Sequence, residues 1–170
     1  FYLPLLIHTR QIPDFVPVEN VMLLGKATPP FAPYEMELWL RIAVVLTERC
    51  DWKQLSNSGQ QFLRYAENSF DHPKVQSRIV DVLNAYCTGL HNAGQADLMD
   101  GFLTQCDALS AEHRDDTALA RFCCSNRGHL LHLRRYLDHP EHLDQDWTVA
   151  AGYLTAYPDD LDICRSAVQA

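Results

Sequence analysis

Phe70-Asp71-His72-Pro73 returns 67 positions later as Leu137-Asp138-His139-Pro140. That interval is close to twice 34, and Gly94 and Gly128 are themselves 34 apart. A period near 34 residues is the length of one helix–turn–helix repeat. Each copy ends an apolar run, each proline cannot continue a helix, and each histidine stands where terminal carbonyls need a donor. The tetrapeptides therefore read as punctuation between stacked helical hairpins, not as a chemical motif.

Working outward, the apolar residues keep helical steps. Leu38, Trp39, Ile42, Val45 and Leu46 form one stripe, and Trp52, Leu55, Phe62, Leu63 and Ala66 a second. Asp51 between them is a good N-cap. Val75, Ile79, Val82, Leu83, Tyr86 and Leu90 give the clearest amphipathic pattern, stopped by Asn92-Ala93-Gly94. Asp97 is then expected to cap a helix through Leu109. Leu119, Phe122 and Cys123 open another, closed by Asn126-Arg127-Gly128, and Leu130 to Leu137 form the next. Two later segments, around Trp147–Leu154 and Asp159–Val168, end the chain. The expectation is an all-α fold of seven or eight helices, with hairpin turns near residues 50, 94 and 128. An irregular helical bundle is the competing arrangement.

Six of the nine prolines fall within residues 1–35: Pro4, Pro13, Pro17, Pro29, Pro30 and Pro33. That segment is expected to be extended or looped, or the end of a preceding domain, with the helical-repeat domain covering 36–170. A chain opening on Phe1 is expected to be a fragment, a processed form or an engineered chain.

The hairpins resemble tetratricopeptide-type repeats and the wider helical-hairpin superfamily. Asp51-Trp52-Lys53-Gln54-Leu55 looks like the start of a second repeat helix. Tyr86 followed by Gly94, and Phe122 followed by Gly128, look like a first helix and its turn. Pro73 and Pro140 look like repeat ends, and the likeness spans roughly residues 36–140. Tyr86 and Gly94 lie eight apart, about twice the family's separation, and a small residue is not found reliably in each second helix. The resemblance implies a short α-solenoid that binds a peptide or helix in a groove.

Composition narrows the classes. The chain is 47% hydrophobic and 21% charged, ordinary globular values. Its net charge of −8 disfavours nucleic acid and anionic membrane. The late acids Asp138, Glu141, Asp144, Asp146, Asp159, Asp160 and Asp162 read as a solvated face. Cys50, Cys87, Cys106, Cys123, Cys124 and Cys164 read as reduced thiols of a cytoplasmic protein, most of them inside apolar helical patterns.

No chemistry-bearing motif stands out. Cys123, Cys124, His129 and His132 lack paired zinc-ligand spacing. Cys87 and His91 share a helix face but have no companion groups for catalysis. Gly25-Lys26 lacks the rest of a phosphate loop, and Arg134-Arg135 is too small a basic patch for nucleic acid. Asp115-Asp116 and Asp159-Asp160 stand at helix starts, where acids cap and offset the macrodipole.

The sequence therefore points to a non-enzymatic interaction module with no cofactor and no metal. Its expected partner is another protein or a peptide, with homo-oligomerisation also admitted. First-helix polar residues line the inner face of such arrays, which singles out Arg41, Arg78, Asn84 and Arg121. Competing readings are the small-molecule-sensing arm of a bacterial regulator and an enzyme with an unrecognised helical active site.

Overall fold

Pro33 and Pro73 each fall in the first turn of a helix, where a proline is tolerated. The computed structural model describes residues 32–137 and 142–169. Residues 1–31, and with them most of the expected extended segment, lie outside that description, as does the Asp138-His139-Pro140 copy of the punctuation. Seven helices are seen: α1 (Ala32–Glu48), α2 (Trp52–Ser69), α3 (Pro73–Asn92), α4 (Ala96–Glu112), α5 (Thr117–Tyr136), α6 (Leu143–Ala156) and α7 (Leu161–Gln169). No strand occurs among the described residues, so the fold is all-α. The helix begins at Ala32, before the expected boundary, because Pro33 falls in the first turn, where a missing N–H costs nothing.

The caps explain most boundaries. Asp51 accepts a hydrogen bond from the Gln54 amide (3.2 Å), Asp116 from Leu119 (3.0 Å), and Asp160 from Asp162 and Ile163 (3.1 Å each). These are the expected acidic caps. Gly94 adopts φ +67, the left-handed conformation that a side chain resists, and closes α3. Asp97 does not cap: Gln95 holds the cap position, without a side-chain bond, and Asp97 sits in the first turn of α4.

Two expectations are corrected. His72 does not serve the carbonyls of the helix before it. Its Nδ1 accepts the Lys74 amide at 3.2 Å, so it caps the helix that follows, with Pro73 as first residue. Gly128 is not a turn; it is buried in the middle of α5, which runs unbroken from Thr117 to Tyr136. Asn126 turns its amide back onto the Phe122 carbonyl (2.9 Å), and Leu130, Leu131 and Leu133 continue the buried face beyond it. The 34-residue glycine interval is thus coincidental, while the turns near 50 and 94 are real.

The odd-numbered helices pack in series, α1 on α3, α3 on α5 and α5 on α7. Each even helix packs on the odd helices before and after it, and α2 also packs closely on α4. The core runs through this arrangement as an aromatic chain: Trp39 to Phe62 at 5.5 Å between centroids, Phe62 to Tyr86 at 6.3 Å and Tyr86 to Phe102 at 5.9 Å. The Tyr86 and Ser58 hydroxyls share a 2.8 Å bond that satisfies the buried phenol. Next to Ser58, Gly59 lets α2 close on its neighbours. A Cβ there would stand 2.8 Å from Phe102 and 3.2 Å from Tyr86.

That crowding gives a prediction. Gly59→Ala should destabilise by about 1–2 kcal/mol, because overpacking outweighs the gain in helix propensity. Gly101, also helical but with no atom within 4 Å of such a Cβ, should gain up to about 1 kcal/mol as alanine. Urea denaturation of the two variants should move the midpoint in opposite directions.

Candidate functional site

The polar side chains singled out, Arg41, Arg78, Asn84 and Arg121, lie on α1, α3 and α5. On α1, Arg41 Nε pairs with Glu37 at 2.9 Å. Across the α1–α3 contact, Arg78 lies 3.8 Å from the same Glu37 and 2.9 Å from Asp81. One turn further along α3, Asn84 is exposed. Arg41, Glu37, Arg78 and Asp81 therefore form one ion-paired strip across two helices, with Asn84 exposed further along α3. Arg121 lies elsewhere: its guanidinium grips Asp160 (2.9 Å) and Asp162 (3.1 Å) at the start of α7.

Further along the α3–α5 seam, the His91 and His129 rings meet edge to face, 5.7 Å between centroids. Partial burial, then the neighbouring His91 and His132, hold the His129 imidazole below its ordinary pKa. On the opposite side, α2 and α4 leave a surface groove of about 300 Å³, with Leu63 and Leu109 at its floor and Arg64, Glu67, Gln105 and Glu112 around it.

The largest departure from expectation lies inside. Arg127 and Arg134 of α5 are buried, with side chains 4% and 2% exposed, and Asp146 of α6 is 1% exposed. Arg127 reaches Asp100 (2.6 Å), Asp107 (2.7 Å) and Thr104 (3.1 Å), all on α4. Arg134 bridges Asp100 on α4 (2.8 Å) and Asp146 on α6 (2.6 Å). Tyr153 of α6 donates to Asp107 at 2.6 Å. Two guanidiniums thus answer three carboxylates. Among the described residues, Arg134 Nε has no hydrogen-bond partner, so both its bridges run through the Nη atoms.

Charge follows from these contacts. Burial pushes Asp100 up, but hydrogen bonds from Arg127 and Arg134 outweigh it and hold the carboxyl below its usual range. Asp146, more deeply enclosed, goes the other way: burial raises it and Arg134 offsets this only in part. Burial and then the neighbouring Cys123 and Asp107 raise Tyr153 far above a free phenol, so it stays a donor. Asp146 is therefore no part of a solvated acid face, and Arg134 no part of a basic patch.

The candidate pairs for chemistry separate. Cys87 is fully buried, with its thiol pushed well up by desolvation, while His91 turns to His129. No group of three or more His, Cys, Asp or Glu residues among the described residues could hold a metal ion. No described helix is long and apolar enough to cross a membrane. Comparison with protein-family models, curated proteins and solved structures found no match to this chain.

The buried network had a signal in the sequence. Asp100 and Asp107, Arg127 and Arg134, and Asp146 and Tyr153 are each seven apart. Seven residues are two helical turns, so each pair shares a face. Three successive helices carrying matched polar pairs at that spacing mark a seam.

Two measurements follow. Arg134→Met leaves Asp146 with only the longer contact to Arg127 (3.6 Å) and should cost about 3–5 kcal/mol, whereas Arg134→Met/Asp146→Leu should cost less than either single change. Urea denaturation of the three variants decides it. Separately, the lowered pKa of His129 favours its neutral form in the folded state. Its contribution is complete above the unfolded value near 6.5 and shrinks as pH falls below that towards the folded pKa. Denaturation midpoints between pH 7.5 and 5.5 should therefore fall less in His129→Gln than in wild type.

Proposed function

We propose that this chain is a short, divergent tetratricopeptide-like α-solenoid that acts as a non-enzymatic protein-binding module. The in-series packing of odd helices, with even helices intercalated against them, is the contact order that stacked hairpins produce. The observation that carries the function is the ion-paired strip Arg41–Glu37–Arg78–Asp81 across α1 and α3, with the exposed Asn84 further along α3. Its side chains are held in place yet half exposed, so a partner meets oriented donors and acceptors. A helix or extended peptide laid across the strip would exchange its own carboxylates and amides into these pairs and bury apolar side chains beside them. The reading fits a scaffold, chaperone or regulatory domain in a cytoplasmic assembly, without cofactor, nucleic acid or membrane as partner. A second copy of the chain is the other partner it admits. Arg121 is assigned to anchoring α7.

The test is affinity capture from the native host, read by mass spectrometry, with wild type and Arg78→Ala/Asn84→Ala compared side by side. The double variant should keep its fold and lose specific partners by about tenfold or more. Equal capture by both would remove the strip from the binding surface.

A further inference from the structure

We propose that α6 and α7 form a releasable cap, locked onto the α1–α5 body by the buried arginine–aspartate seam, that opens without unfolding the rest. The first support is the division of the core. The main cluster is built from α1 to α5, while Ala120, Cys124, Ile163 and Ala167 form a separate small one. Among the described residues of α6 and α7, only Ala150, Ile163 and Ala167 are fully buried hydrophobic side chains. Tyr153, Leu154 and Tyr157 add partly buried apolar contacts, so the two helices are held by less apolar burial than the body.

The second support is where the polar contacts fall. α4 and α2 pack directly, but α4 and α6 do not pack closely; Arg134 spans them, joining Asp100 to Asp146. Further polar ties reinforce it. Tyr153 bonds Asp107, the Tyr157 hydroxyl donates to the Arg114 carbonyl at 3.0 Å, and Arg121 holds Asp160 and Asp162. Regions held by few apolar contacts open at a free energy below the global one.

The cap seals one reporter. Cys124 of α5 is fully buried beneath α7, and its thiol donates to the Ile163 carbonyl at 3.8 Å. Burial, then the charges of Asp107, Cys164 and Asp160, push its pKa up to about 11. Opening removes the desolvation and exposes the thiol to reagent. Cys87 and Cys106 lie in the main core and stay covered unless the whole chain unfolds.

The experiment is alkylation of the native protein with a maleimide under non-denaturing conditions, resolved cysteine by cysteine by peptide mass spectrometry. Cys50 is exposed and Cys164 half-buried, so both label early and are read apart. In wild type, Cys124 should label at least about tenfold faster than Cys87 and Cys106. Asp146→Asn, which removes the charge at the α6 end, should accelerate Cys124 on the order of 100-fold and leave Cys87 unchanged. Arg121→Ala, on the surface at the α7 end, should accelerate it about threefold. If Asp146→Asn does not fold, wild type and Arg121→Ala decide alone. Cys124 labelling in step with Cys87 and Cys106 would show a single cooperative unit and overturn the proposal.

Discussion

Two guanidiniums on one face of α5 set the geometry of the C-terminal half. A buried arginine without anions costs several kcal/mol, so once Arg127 and Arg134 point inward, carboxylates must follow. Asp100 and Asp107 are supplied by α4 and Asp146 by α6, each at a distance short enough for a charge-assisted bond. The spacing then propagates. Because the arginines are two turns apart, α4 and α6 are held at two heights along α5, which fixes their register. The helices need not touch to be positioned; the side chains between them do it.

The N-terminal half reaches its register by other means. Trp39, Phe62, Tyr86 and Phe102 pass contact from α1 to α4, and Gly59 lets backbones approach where those rings cross. Shape complementarity of this kind is non-directional in energy but strict in volume. One polymer chain thus uses a dry aromatic seam at one end and a charged one at the other. The difference is one of direction: ring packing constrains volume, whereas charge-assisted bonds constrain individual atoms.

Local signals were legible where a single residue type has a single use. Asp51, Asp116 and Asp160 read as caps and are caps. Gly94 reads as a stop and has the positive φ that a stop needs. The same logic failed at Gly128, because a glycine flanked by asparagine and arginine resembles a helix end, and only tertiary burial of Arg127 and Leu130 keeps α5 running. His72 was placed at the right boundary but on the wrong helix, since a histidine nitrogen can donate to the carbonyls behind it or accept from the amides ahead. Arg41 and Arg78 meet at Glu37 because helical spacing brings them to the α1–α3 contact. The pairing of Arg121 was not legible, because its partners, Asp160 and Asp162, come from 39 and 41 residues away.

Composition hid the rest. Net charge counts Asp146 and Arg134 as surface, yet they are among the most enclosed side chains present. What distinguishes them is not their type but the repetition of a seven-residue step on three consecutive helices. A periodic polar pair on one helix has no meaning by itself, because solvated faces show it too. Matched pairs of opposite sign on helices that must pack together have far fewer solvated explanations, since each would otherwise leave a charge facing a neighbour. Helical arrays whose apolar repeats have drifted beyond recognition can therefore still betray their register through charge. In this chain that register is carried by the ion pairs that link α4, α5 and α6.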